Sequence, residues 1–278
     1  MPKYQKINDL WSLYKYGNKY KVVYIKCGSR RISGEDTNCI KESKEDNISE
    51  ERLSASLSRT KSRILELALC NEFTFFCTFT QDKNKVVSRF DLSSFRKDLA
   101  QYIRNQNRGR EDKIKYLLIP ERHKDGAWHM HGLFSGLIIG RDLFEFSLSD
   151  NIPQRIKKSI KNGEMVYNWV NYSKKFGFFT ATRIKSTGAV SSYITKYVTK
   201  EVAKQGLEEG RHLFFASQGL KGREVIVYNN FDVNCELIYC PFSDNEWSFE
   251  NDYVKVKWLN DLSAFNGLLL SENLDTKN

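Results

Sequence analysis

A chain of 278 residues is long enough to bury a sizeable core, and 40% hydrophobic with 13% aromatic residues is a globular composition, not a disordered one. The net charge of +10, with a pI near 9.2, favours polyanionic partners, because Lys and Arg opposite phosphates gain affinity by releasing counterions. No apolar run approaches the roughly 18 residues of a membrane helix, the start "MPKYQKINDLW" carries no apolar secretory core, and the six cysteines show no C-x-x-C spacing.

The expectation from these bounds is a cytoplasmic protein with reduced thiols and no membrane contact. In chain order, "KYKVVYIKC" (19–27) follows a "YGN" turn signal and reads as a strand. Residues 28–50 are polar, charged and non-periodic, which predicts a flexible connector. From about 51 to 70, Leu53, Leu57, Ile64, Leu67 and Ala68 recur at helical spacing. "EFTFFCTFT" (72–80) is rich in aromatics and threonine and predicts a buried strand. Leu92, Phe95, Leu99, Tyr102 and Ile103 make one face of a helix over about 91–106. "IKYLLIPE" and "WHMHGLFS" predict two strands, and residues 141–176 are mixed and basic. "GFFTATRIK" (177–185) is a further strand, turned by "STG" into a helix over about 188–203; "HLFFAS" and "REVIVYN" predict two more strands. Strands and helices mix without βαβ alternation, so the fold class is α+β with an antiparallel sheet. No P-loop occurs, so no nucleotide-driven motor is encoded.

Three of the four histidines fall within residues 119–134. Alternation along a strand puts His129 and His131 on one face and Trp128 and Met130 on the other. The imidazoles then stand about 7 Å apart and can converge on one cation. "KDG" fits a three-residue hairpin loop with Gly126 in the left-handed conformation, which pairs His123 with Ala127 and sets Glu121 across from His129. A two-residue Asp-Gly loop would instead place Glu121 opposite Met130, on the wrong face. Two other readings stay open: a polar cleft in which the histidines only hydrogen-bond, and a cupin-like metal site, whose later glutamate is missing from "HGLFSGLIIG".

"VSSYITKYVTKE" (190–201) spaces Tyr193 from Tyr197, and Lys196 from Lys200, by four residues, so each pair shares a helical face. Val190, Ile194, Val198 and Val202 form the adjoining stripe, and the β-branched content means that packing must hold the helix. Two tyrosines packed on an amphipathic helix would look the same. The chemical reading is that a phenol, a poor nucleophile at neutral pH, is helped by a lysine one turn away and by a divalent cation on its target phosphate. Together with a His/His/Glu site this suits phosphodiester transesterification.

These segments resemble, in order, the three motifs of replication initiator (Rep) proteins of the HUH endonuclease superfamily. "FFCTFT" (75–80) is similar to the first motif, "ERHKDGAWHMHGLF" to the second with Glu121, His129 and His131 in the metal-ligand positions, and "YITKYVTK" to the paired-tyrosine motif of isometric single-stranded DNA phage initiators. "FFASQGLK" (214–221) resembles a serine-glycine segment of filamentous-phage gene II type initiators. The resemblance implies a central antiparallel sheet flanked by helices, with the tyrosine helix packed near the His-x-His strand. It implies cleavage of one DNA strand at a replication origin, leaving a 5′-phosphotyrosine and a free 3′-hydroxyl for rolling-circle replication, with Mg²⁺ or Mn²⁺ on the ligands. Host helicase, polymerase and single-strand binding protein are the implied partners, in the host cytoplasm. Tyrosines following the histidines separate this order from mobilisation relaxases. An HUH transposase and a DNA-binding repressor on the same fold are the alternatives.

The expected organisation is an N-terminal extension with the charged connector (1–50), an endonuclease domain (51–230) and a C-terminal extension (231–278). Tyr193 and Tyr197 are the candidate nucleophiles, with Tyr193 favoured for initiation because it sits in the first turns after the "STG" cap. Lys196 and Lys200 are their candidate helpers. Arg183 and Lys185, just before the tyrosine helix, are the candidate DNA contacts; Arg155, Lys157, Lys158, Lys174 and Lys175 are further basic groups able to track phosphates.

Overall fold

The computed structural model describes residues 4–7, 10–26, 28–31, 50–86, 89–123, 125–199, 212–228, 246–250 and 254–263. In chain order the elements begin with β1 (Tyr4–Ile7), β2 (Leu10–Tyr16), β3 (Lys19–Ile25), β4 (Gly28–Arg31), α1 (Glu50–Leu69), β5 (Phe75–Thr80) and α2 (Leu92–Gln106). There follow β6 (Lys115–Arg122), β7 (Trp128–Ser135), β8 (Phe144–Glu145), α3 (Gln154–Lys161), β9 (Val166–Asn168), α4 (Val170–Lys175), β10 (Phe179–Arg183) and α5 (Thr187–Ile194). A 3-10 turn (Thr195–Tyr197), β11 (Phe215–Ala216), β12 (Glu224–Tyr228), β13 (Phe249–Glu250) and β14 (Val254–Leu259) complete the described elements. They fall into two units, Met1–Glu45 with Gly222–Asn278, and Asp46–Lys221.

The first unit is built from both ends of the chain. Its five-stranded antiparallel sheet runs β12-β2-β3-β14-β13, and β1 pairs with β4 in a separate two-stranded sheet. Trp11 and Leu13 lie across from Tyr24 and Val22, so one face collects a small core of Trp11, Leu13 and Val22, with Trp247, Leu259 and Leu262 against it. Three features differ from the local reading of the sequence. Gly28–Arg31, inside the expected connector, is a strand; Glu224–Tyr228 pairs with β2; and β14 pairs with β3, joining segments that the sequence reading places in separate extensions. The last two pairings connect residues more than two hundred positions apart, beyond the reach of any local pattern.

The second unit is α+β. Its seven-stranded antiparallel sheet has the order β11-β6-β7-β5-β10-β9-β8. Because cross-strand partners share a face, the register defines two surfaces. One carries Leu117, Ile119 and Glu121 of β6, His129, His131 and Leu133 of β7, and Phe76, Thr78 and Thr80 of β5. The other carries Tyr116, Leu118, Met130, Phe134, Phe75 and Phe79. α1, α5 and the 3-10 turn pack on the first surface through Ile64, Leu67, Ile194 and Val198. α2 and α4 cover the second, where Tyr102, Trp169, Tyr172 and Phe79 meet edge to face.

Asp91 caps α2, its carboxylate accepting from the Ser93 and Ser94 amides. The stretch 141–176, without clear periodicity in the sequence, folds into short elements around Phe146, Ile152, Ile156 and Val166. Arg110 and Asp142, both buried, form an ion pair; Arg110 also donates to the Gly136 carbonyl at 2.8 Å, and Asp142 accepts from the Ile138 amide at 2.9 Å. A buried charge so fully bonded fixes the loop after β7.

Candidate active site

The hairpin between β6 and β7 closes with the three-residue loop. The Gly126 amide donates to the His123 carbonyl and the His123 amide to the Ala127 carbonyl, both at 2.8 Å, with Gly126 at φ 85°. Glu121 therefore lies across from His129 and Ile119 from His131. β5, on the other side of β7, sets Thr78 against His131 and Thr80 against His129.

Each threonine hydroxyl is hydrogen-bonded to the Nδ1 of its histidine at 3.1 Å. Glu121 Oε2 is 2.6 Å from His131 Nε2. With the His131 proton on Nε2, Nδ1 accepts from Thr78. A hydroxyl also accepts, so Thr78 serves the other tautomer, in which Nε2 offers its lone pair to a cation.

Burial pushes the pKa of both histidines down. At His129 the neighbouring imidazoles of His123 and His131 add to it, against Glu121 and Asp125; at His131 the Glu121 carboxylate opposes the burial and Arg155 reinforces it. Both rings are therefore held toward the neutral, ligating form.

The donor set, one carboxylate and two neutral imidazoles on one face, fits a divalent cation in kind. The side chains as placed are pairwise. Glu121 engages His131, while His129 stacks on the exposed His123 with ring centroids 4.9 Å apart. Among the described residues no three His, Cys, Asp or Glu side chains form a closed ligand cluster. Full convergence, as the sequence leads one to expect, needs Glu121 or His129 to rotate.

Both tyrosines reach this face. The Tyr197 ring lies flat on His131, with centroids 3.8 Å apart and planes 15° apart, and Phe76 flanks both tyrosines. Tyr197 donates its hydroxyl hydrogen to the Tyr193 oxygen at 2.9 Å. Burial, then the hydrogen bond to Tyr193, pushes the Tyr197 phenol far above its usual pKa, with the Glu121 charge adding and Arg155 opposing. Tyr193 is 45% exposed, and Lys196 Nζ sits 5.2 Å from its ring centroid.

Residues 74–202 match the model of the family described as replication-associated protein ORF2/G2P. This segment is similar to that replication-associated family. No curated protein and no solved structure matches the chain.

The fold distributes the remaining sequence candidates unevenly. The tyrosine helix is shorter than its expected span: α5 ends at Ile194, a 3-10 turn carries Tyr197, and Val198 leaves helical geometry at ψ 85°. The β-branched run around Ile194, Thr195, Val198 and Thr199 favours that early ending. Lys200 lies outside the described residues. Arg183 pairs with Phe75 on the surface away from the histidines, its guanidinium 5.5 Å from that ring, and Lys185 is exposed beyond the strand. Arg155, grouped in the sequence with other basic residues, is, among the described residues, a cation whose charge reaches both His131 and Tyr197. Sequence reasoning gave no role to Thr78, Thr80 or Phe76, although their alternation in "FFCTFT" puts all three on one face.

Proposed function

We propose that the domain is a metal-dependent DNA nickase and strand transferase that initiates rolling-circle replication by tyrosine transesterification on single-stranded origin DNA. The observation that carries this reading is the contact of Tyr197 with His131 and of Tyr193 with Tyr197, which sets two phenols beside the Glu121–His131 pair. Replication association follows from the family; the chemistry is our inference.

Glu121, His129 and His131 are the residues that would hold Mg²⁺ or Mn²⁺, and Thr78 and Thr80 fix the two imidazoles in orientation. When bound, the ion supplies Lewis-acid polarisation of the scissile phosphate. Tyr193, the more exposed phenol, attacks phosphorus. Its oxygen gains the bond to phosphorus, its proton leaves, and the departing 3′ oxygen takes up a proton. The products are a 5′-phosphotyrosine and a free 3′-hydroxyl, and no nucleotide is consumed. Lys196 and Arg155 offset charge gathering around the reacting phosphate, and Lys200 is assigned a like role from its spacing. Tyr197, one hydrogen bond away, acts in the closing transfer. The domain works with host helicase, polymerase and single-strand binding protein in the host cytoplasm.

The test is to incubate the protein with pooled single-stranded oligonucleotides and Mn²⁺ and to search for a denaturant-resistant adduct. A phosphotyrosine at residue 193 or 197 supports the reading. Strand cleavage that leaves no protein adduct, or no cleavage at all, overturns it.

A further inference from the structure

On the sheet surface opposite the histidines, α2 and the edge strand β11 enclose an open groove of about 570 Å³. Its walls include Arg96, Arg104, Tyr116, His212, Phe214 and Phe215, and among the described residues no carboxylate lines it. Arg96, Ala100 and Arg104 follow one another at four-residue spacing, so α2 presents a stripe with a cation at each end and a small side chain between. Eight residues of helix separate the arginines by about 12 Å. Arg96 lies over the Phe215 ring at 4.8 Å, and Arg104 donates to Gln101 at 2.8 Å; among the described residues neither meets a carboxylate. β11 is held to β6 by Phe215–Leu118 and Ala216–Leu117 pairs, and the Tyr116 amide donates to Ser217 Oγ at 3.0 Å, so the aromatic wall is anchored to the sheet. This wall is the "FFAS" segment, to which the catalytic reading gives no task.

We propose that this groove binds an unpaired stretch of DNA one or two nucleotides long, away from the nick. Guanidinium groups pair with phosphate oxygens in a fork, and flat rings accept bases of any sequence by stacking. Two cations spaced along one helix match successive positions on a backbone better than a single anion. The rings give a reason for a nucleic acid over an acidic peptide, which has nothing to stack. The volume lies within the range of ordinary ligand clefts. Because the groove lies behind the catalytic surface, a bound strand must pass round the β11 edge, so the groove holds flanking DNA. The inference rests on the DNA-processing reading for the identity of the strand.

Fluorescence anisotropy with a labelled 20-nucleotide oligo-dT, in the absence of divalent metal, tests it across a salt series. Single strands lose about 0.7 in the slope of log affinity against log salt per phosphate contact removed. Arg96→Ala with Arg104→Ala should therefore flatten the slope by about 1.4, and Arg96→Lys with Arg104→Lys should restore most of it. Phe215→Leu should weaken binding roughly five- to a hundred-fold, from the loss of one stacked base, at unchanged slope. An unchanged slope and affinity in the double alanine variant overturns the groove, as does displacement of the oligonucleotide by a polyglutamate peptide in the wild type but not in that variant. Photocrosslinking of a 4-thiothymidine oligonucleotide to the wild-type protein needs no variant to fold. Adducts within 214–217 or at Tyr116 support the groove, and adducts confined to the histidine surface refute it. A wild type that binds with the predicted slope yet forms no phosphotyrosine would sink the nickase reading alone.

Discussion

Gly177 links the backbone to the candidate site, and replacing it by alanine is the sharpest test of how closely these strands approach. It adopts φ 149°, and a Cβ there would lie 2.3 Å from the Thr80 carbonyl oxygen and 2.5 Å from the Asp82 nitrogen, where real contacts essentially never fall below 3.0 Å. Two backbone hydrogen bonds bracket it, from the Thr80 amide to the Phe178 carbonyl and from the Asp82 amide to the Phe176 carbonyl, each 2.9 Å. Parting the strands by about 0.7 Å, enough to relieve the clash, stretches such a bond to about 3.6 Å, where it no longer counts as one. Losing two backbone bonds costs about 0.5–1.5 kcal/mol each, and the strained φ about 1–3 kcal/mol.

Gly177→Ala should therefore destabilise the domain by roughly 2–6 kcal/mol, a fall in Tm of about 5–20 °C for a unit of this size. The displaced residue is Thr80, whose hydroxyl orients His129, so adduct formation should drop even at temperatures where the variant stays folded. Scanning calorimetry and the adduct assay read the two effects separately. A variant melting within about 2 °C of wild type would refute the close approach of these strands.

Tyr193→Phe should abolish the first covalent adduct, whereas Tyr197→Phe should spare nicking and impair strand transfer; loss of all nicking in Tyr197→Phe alone would reverse the assignment. Thr78→Val keeps the shape but removes the hydroxyl on His131, and should weaken Mn²⁺ binding about 10–100-fold by calorimetric titration. Asp142→Ala leaves Arg110 buried without its carboxylate and should cost about 3–5 kcal/mol in urea unfolding. Both site histidines have pKa values depressed in the fold, so the unfolded chain binds more protons at mildly acid pH. Their contribution to stability is complete above about pH 6.5 and is lost as pH falls through the folded values. Urea midpoints measured in that window should fall with acidification, and His131→Gln should shallow the trend.

The hairpin that carries Glu121 and the histidines was legible because its register is a local property. One glycine at the third loop position decides which side chain lies opposite His129, and the alternation of β7 does the rest. α1 and α2 were legible for the same reason, since a sustained apolar period is written within the element itself. The partners of the histidines were not. Thr78 and Thr80 share a face by alternation, but only the placement of β5 beside β7 makes them hydrogen-bond partners, and that placement is decided by the whole sheet. The sheet joining residues 10–25 to residues 254–259 is further still from local reading. Arg155 sits in the short, weakly patterned elements of 141–176, and only the folded chain brings its charge to His131.

The two halves of "YITKYVTK" present the same problem more acutely. Each offers a tyrosine followed three residues later by a lysine, so the sequence supplies no chemical difference between them. The backbone supplies it. Tyr193 is among the last residues of an α-helix, while Tyr197 closes a 3-10 turn with about 3.0 residues per turn instead of 3.6. Tighter winding rotates the second phenol away from the position that a continued helix would give it. It comes to rest flat against His131, while the first stays 45% exposed and accepts the second's proton in a hydrogen bond. Two phenols that the sequence leaves equivalent thus become one exposed to solvent and one held against His131. The proposed division of labour, one phenol cutting first and the other rejoining later, calls for such an inequality, and a change of helical pitch over three residues supplies it.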